Sequence, residues 1–491
     1  MNPRSIVWAA LALAAAGGLH AAPPAACRVP GLKQEVLCGQ VRRALDPSQP
    51  QGAQIDVHFV VVPAAARNKQ HDAVFFLAGG PGQSAISLAG QVMPLFARLN
   101  NRRDVVFIDQ RGTGRSAPLP CADERDLPLA EQIDMGALQQ RLARCRTRLQ
   151  QLPHGRLDHY TTIEAMADAD AVREALGAPQ VNLVGGSYGT RAALEYLRQF
   201  PQRVRRVVLD GVAPPDMVLP ASFAVDGQAA LDAAFAGCEA DDECRQRHPR
   251  LRERWHALLA SLPKKVTVAD PMSGREQQVT LDRDMLAGAL RAPLYVPALA
   301  AALPYAMAEA VEGRFTPLLG LSGATGGSRG GQQRLYWGMH FSVVCAEDMP
   351  LLEQGRAVAS GTADFSAQFT EFYRGVCRDW PRGAVPQGFY RMPQSPAPAL
   401  VFSGGIDPAT PPRHGERAAK ALGAKAQHVV VPNAGHGILG IGCTRDVVFR
   451  FIDAATDDQA QQVDAACVRN IPRPPVFEPW RPKAQRQEVA Q

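Results

Sequence analysis

Three absences narrow what the 491-residue sequence can be. It has no strong charge of one sign: 53 Lys and Arg against 47 Asp and Glu leave a formal net charge of +6. No block of Lys or Arg is interleaved with aromatics, which argues against a nucleic-acid partner. There is no Cys-x-x-Cys and no His/Cys cluster at ligand spacing, so no metal site is expected. Beyond the N-terminal region no apolar run approaches the roughly 20 residues needed to cross a bilayer, so no stable membrane insertion is expected. What is present is ordinary for a soluble globular chain, 46% apolar and 20% charged residues. The length implies one large domain with an insertion, or two to three domains.

The N-terminus reads as an export signal. Arg4 is followed by an apolar stretch from Ile6 to Ala16 and then by small residues. That stretch is too short for a membrane anchor, and cleavage is expected near Ala21 or Ala22, giving a signal peptide over 1–22 and a periplasmic or extracellular location. A lipid-modified Cys27 is disfavoured by Pro24, three places before it. Ten cysteines fit an oxidising compartment. They fall into neighbouring pairs along the chain, and sequential pairing is the simplest connectivity, which spacing alone does not fix.

Short apolar runs bounded by glycine or proline recur at 54–64, 72–84, 103–116, 178–190, 203–215, 397–412 and 426–437. Helical stretches separate several of them, as at 161–178, where Thr162 is placed to cap and Ala165, Ala169, Val172 and Leu176 share a face. This is the signature of buried parallel strands in an α/β sheet. From about 216 to 395 the rhythm gives way to Ala/Leu-rich helical periodicity and a glycine-rich loop at 321–333. The expected layout is a core over 23–215, an inserted, mainly helical cap over 216–395, and a second core part over 396–491.

Gly185-x-Ser187-x-Gly189 stands where an apolar run meets a helical pattern, "LVGGSYGTRAALEYL". It matches the nucleophile elbow of the α/β-hydrolase fold, a mostly parallel central sheet flanked by helices. A serine there needs a base and an orienting acid, in the chain order Ser, Asp/Glu, His. His436, in "PNAGHG" after the last strand, is the expected base; His428, inside that strand, reads as structural. Asp407, in "SGGIDPATPP", is the expected acid, with Asp210 as competitor. Backbone donors for an oxyanion are expected from Tyr188, after the nucleophile, and from Gly80 in "AGGPG".

Taken together, "AGGPG", "DQRGTGRS", "GGSYGT", "SGGIDPATP" and "NAGHG" resemble the proline iminopeptidase-like α/β-hydrolases. The branch they are most similar to is the secreted bacterial tripeptidyl aminopeptidases. The resemblance spans roughly 55–470, cap included. One departure is Ala78, where many relatives carry His before the glycines. The resemblance implies a serine exopeptidase without cofactor that takes short peptides with a free N-terminus. It also implies an acidic anchor for the substrate ammonium, for which "SVVCAEDMP" offers Glu347 and then Asp348. A Cys345–Cys377 disulfide would pin that segment. An ester hydrolase with the same triad and a non-catalytic binding protein are the competing expectations; a purely apolar pocket would favour the first, a broken triad the second.

Overall fold

The computed structural model describes residues 23–477 and Pro479, apart from 123–126, 133, 272, 325–334 and 358–360. The expected signal peptide and most of the glycine-rich loop lie outside the described residues; 321–324 belong to the helix Thr316–Ala324.

The strands of the main sheet are β1 (Ala25–Cys27), β2 (Val36–Ala44), β3 (Gln54–Val62), β4 (Ala73–Leu77), β5 (Val105–Ile108), β6 (Val181–Gly186) and β7 (Val204–Asp210). A hairpin of β8 (Lys264–Ala269) and β9 (Glu276–Leu281) stands apart, and β10 (Ala399–Gly404) and β11 (Ala426–Val431) complete the sheet. The order across its nine strands is β1-β2-β3-β5-β4-β6-β7-β10-β11. Strands β5 to β11 along that order pair in parallel, while β1, β2 and β3 form an antiparallel edge. All seven apolar runs recognised in the sequence become strands of this sheet.

Those runs are apolar throughout because both faces of the sheet are covered. Phe75, Val106, Leu183, Val207 and Val401 point into one core, and their neighbours Val74, Phe107, Val184, Val208 and Leu400 into the other. The covering helices include α1 (Ala85–Asn100), α2 (Met135–Gln150), α3 (Thr162–Ala175) and α4 (Tyr188–Gln199). Further helices are α5 (Leu219–Ala240), α6 (Arg283–Leu294), α7 (Trp337–Glu347), α8 (Gln368–Cys377), α9 (Pro412–Leu422) and α10 (Thr444–Asp453). Helix α3 has its expected face, but its cap is Thr161, in a capping box with Glu164, rather than Thr162. Thr162 sits one position inside and is used elsewhere, as described below.

The segment 216–395 is mainly helical but also contains the β8–β9 hairpin, which the sequence reading missed. It packs in two parts. Residues from α5 to Leu318 build a core of their own around Trp255. Helices α7 and α8 instead add Phe341, Val344 and Tyr373 to the sheet's own core. The ten cysteines form the sequential pairs Cys27–Cys38, Cys121–Cys145, Cys238–Cys244, Cys345–Cys377 and Cys443–Cys467.

Candidate functional site

Strand β6 ends and helix α4 begins at Ser187, whose φ of 55° and ψ of −124° lie in a region that a side chain other than glycine rarely adopts. Holding it there costs on the order of 1–3 kcal/mol, which surrounding contacts must offset. They do so by close approach. A Cβ on Gly185 would collide with the Gly189 carbonyl, and one on Gly189 with the Leu77 carbonyl at the end of β4. The Ser187 N–H donates to the Asp210 carbonyl at 2.8 Å, fixing the elbow against β7.

Asp210 also ties down the histidine loop. Its buried carboxylate accepts the N–H of Ile438 at 2.8 and 2.9 Å and that of Leu439 at 3.1 Å. Burial pushes its carboxyl up even against these donors. Asp407 is the aspartate that meets the imidazole. His436 Nδ1 lies 2.9 Å from Oδ2 and 3.1 Å from Oδ1. The backbone N–H groups of Ala409 and Thr410 donate to Oδ1 at 2.8 and 2.9 Å, and the Thr410 hydroxyl donates to Oδ2 at 2.7 Å. This is an Asx-type turn, which the sequence "DPAT" encodes locally. Burial would raise the Asp407 carboxyl, but the charge and hydrogen bond of His436 and these donors hold it below its ordinary value. Burial likewise would lower the imidazole, and the charge and hydrogen bond of Asp407 outweigh it, holding His436 above 6.5.

The His436 ring lies beside Gly211, next along the chain from Asp210. A Cβ on Gly211 would come 3.3 Å from His436 Cε1, and Gly211 follows the residue whose carbonyl holds the Ser187 N–H. Tyr295, at the end of α6, secures the ring from the other side. Its carbonyl accepts the His436 N–H at 2.9 Å, and its ring meets the imidazole edge-on with centroids 5.0 Å apart. Neither Thr410 nor Tyr295 was singled out from the sequence. Thr410 could have been read from the turn; Tyr295 depends on a contact across 141 positions with no local signal.

The glycine loop after β4 lies against Ser187: a Cβ on Gly79 would approach Ser187 Cβ to 3.1 Å. Gly80 and Gly82 have φ of +112° and +105°. Three contacts clamp this loop. The His340 Nδ1–H donates to the Pro81 carbonyl at 3.0 Å, and the Tyr336 N–H to the Gly82 carbonyl at 2.9 Å. Buried Asp109 accepts the Ser84 hydroxyl at 2.6 Å and the Ile86 N–H at 3.1 Å. His340 Nε2 in turn accepts from the Tyr373 hydroxyl at 2.9 Å, and burial pushes this imidazole down to about 4, so it stays neutral. Among the described residues the Gly80 and Tyr188 N–H groups donate to no backbone carbonyl. His428 is remote from this centre; it sits in β11 against the Ser403 hydroxyl at 3.0 Å.

Glu347 and Asp348 are placed differently from the sequence reading. Both are buried, at 0% and 1% exposure. Arg191, on α4, reaches both Asp348 oxygens at 3.0 and 3.1 Å and lies 3.5 Å from Glu347. Glu347 accepts the Thr162 N–H at 2.7 Å and its hydroxyl at 3.0 Å, and the Tyr188 phenol closes the group on Thr162 at 2.6 Å. Burial pushes the Glu347 carboxyl up to about 7. Both carboxylates are closed from solvent and face the Arg191 guanidinium, beneath the helix that begins after Ser187.

A cavity of about 920 Å³ opens beside the site, between α5, α6, α7 and α8. Its lining is rich in aromatics, Phe223, Trp337, Phe365, Phe369 and Tyr373, with His340 and Leu335 at the glycine-loop side. Asp134, Asp282, Asp284 and Arg291 are its charged members. Among the described residues no group of three or more His, Cys, Asp and Glu could hold a metal, and no helix is long and apolar enough to cross a membrane.

Residues 72–278 match the family model described as alpha/beta hydrolase fold, and residues 363–467 the model described as TAP-like protein. Serine protease Hip1 of Mycobacterium tuberculosis is 27% identical over 440 residues, covering 82% of this chain and 83% of that protein. Tripeptidyl aminopeptidase of Streptomyces lividans is 32% identical over 200 residues, 38% of this chain and 36% of that one. Proline iminopeptidase of Neisseria meningitidis is 31% identical over 140 residues, 28% and 32% of the two chains. The chain has the α/β-hydrolase fold, carries a TAP-like segment over 363–467, and is a serine hydrolase.

Proposed function

We propose that the protein is an exported aminopeptidase that releases short N-terminal peptides through an acyl-enzyme on Ser187. The observation that carries this reading is the Asp407–His436 pair, 2.9 Å apart, set over the same glycine that follows the support of the Ser187 elbow. Ser187 Oγ attacks the scissile carbonyl, and His436 Nε2, the ring nitrogen not engaged by Asp407, takes its proton. Asp407 keeps the other nitrogen protonated and stabilises the imidazolium. The carbonyl oxygen, now an anion, receives the N–H groups of Gly80 and Tyr188. His436 returns the proton to the leaving amine, and water releases the acyl group by the same steps reversed.

The segment 216–395 is the insertion that roofs the site, and it limits entry to short or unfolded chain ends. With Glu347 and Asp348 committed to Arg191, the free N-terminus falls to the cavity carboxylates, of which Asp284 on α6 is the first choice. Export is supported by the five disulfides and by the charged-then-apolar N-terminus.

The aromatic lining of the cavity favours one rival, an ester hydrolase with the same triad. A panel of free and N-blocked peptide amides beside short-chain esters separates the two. Cleavage of free peptides well above blocked ones is the expected result. Ester-only cleavage would assign the triad to the rival.

A further inference from the structure

Helix α6 turns one stripe toward the cavity. Asp284, Ala287, Gly288 and Arg291 all line it, at the i, i+3, i+4, i+7 spacing of a single helix face. One turn further, about 6 Å along the axis, Tyr295 touches the His436 ring. Arg291 is therefore the cavity's cation on the side of the reacting centre. Its charge also reaches His436 and disfavours the imidazolium there.

The surroundings of Arg291 are unusual for a guanidinium. It lies over the Phe223 ring, 3.4 Å from the centroid, with the Phe369 ring 5.3 Å away. Among the described residues it has no hydrogen bond and no ion pair, whereas the neighbouring carboxylates are engaged. Asp134 and Asp282 cap helices through the Ala137 and Met285 N–H groups, and Asp284 accepts the Ser366 hydroxyl. Stacking on an aromatic ring occupies the face of a guanidinium and leaves the N–H fork in its plane free, the geometry that takes a carboxylate in two parallel hydrogen bonds. The two small residues before it, Ala287 and Gly288, leave room for a peptide to lie along the helix.

We propose that Arg291 forms a carboxylate subsite beside the scissile bond. Its ligand is either an acidic side chain next to that bond or the free C-terminal carboxylate of a short peptide. This specificity rests on the peptidase reading for its meaning, but its test needs no turnover. The Ser187→Ala protein, with Arg291 intact, is titrated calorimetrically with Ala-Ala-Ala, Ala-Ala-Ala-amide and Ala-Ala-Asp-amide. One or both carboxylate-bearing peptides should bind about ten- to a hundredfold more tightly than the neutral amide, the range for a charge-assisted pair. Tight Ala-Ala-Ala identifies the terminal carboxylate; tight Ala-Ala-Asp-amide identifies the side chain. In Ser187→Ala/Arg291→Met the preference should vanish, and in Ser187→Ala/Arg291→Lys part of it should return. Equal binding of all three peptides by Ser187→Ala, no binding of either carboxylate peptide, or a preference that survives in Arg291→Met would each overturn the subsite. Turnover by the unsubstituted protein tests the peptidase reading separately, so either can fail alone.

Discussion

Asp407 and Asp210 both lie where parallel strands end, and they differ in what reaches their oxygens. Asp407 meets His436, whereas Asp210 receives only backbone N–H groups from Ile438 and Leu439. Substituting each should therefore fail in a different way. Asp407→Asn should lower kcat by about four orders of magnitude with the fold retained, measured by steady-state kinetics beside thermal unfolding. Asp210→Asn turns one acceptor into a donor facing N–H groups and should cost roughly 1–3 kcal/mol of stability, read by denaturant unfolding. A pH prediction follows from the same pair. The base must be neutral to act, and Asp407 holds His436 above 6.5. Activity should thus fall as pH drops through a value above 6.5, and in any residual activity of Asp407→Asn that acid limb should move to lower pH. The Asp407–His436 pair was legible in the sequence because each member follows an apolar run directly. Thr410, Tyr295 and His340 were not, since they act through contacts between distant segments. The pairing of Glu347 and Asp348 with Arg191 was hidden for the same reason: acidic residues are mostly exposed, and the arginine lies on another helix.

At the scale of elements, the parallel strands announced themselves because both of their faces are covered. Of the strands that escaped, β2, β8 and β9 are partly exposed, so polar residues interrupt them, as in "EQQVTL", and β1 is only the three small residues Ala25–Cys27. The β8–β9 hairpin was further hidden by the helical composition around it. Helix α4 has Ser187 at its start and Arg191 within, so the ion cluster fixes the helix that positions Ser187. Arg191→Met leaves two buried carboxylates without their cation and should destabilise by about 3–5 kcal/mol. The same account predicts that Glu347→Gln shows its effect in thermal unfolding and not in KM for free peptides. A raised KM with unchanged stability would return Glu347 to the substrate site.

For the whole molecule, five disulfides tie near neighbours in sequence, and Cys345–Cys377 joins α7 to α8 across a separation of 32 residues. Closing a loop of that size is worth on the order of 3–4 kcal/mol in the chain-entropy view, so the Cys345→Ser/Cys377→Ser protein should melt at a clearly lower temperature. The same two helices wall the cavity and, through His340 and Tyr373, hold the glycine loop that would receive the oxyanion. Cavity wall and glycine-loop clamp are thus built from the same two helices. The most direct test is mass spectrometry of the products from one unfolded decapeptide, offered with a free and with an acetylated N-terminus. The account predicts a short N-terminal fragment from the free peptide, little or none from the acetylated one, and none from either with Ser187→Ala. Equal cleavage of both peptides, or release of the same fragment by Ser187→Ala, would contradict it.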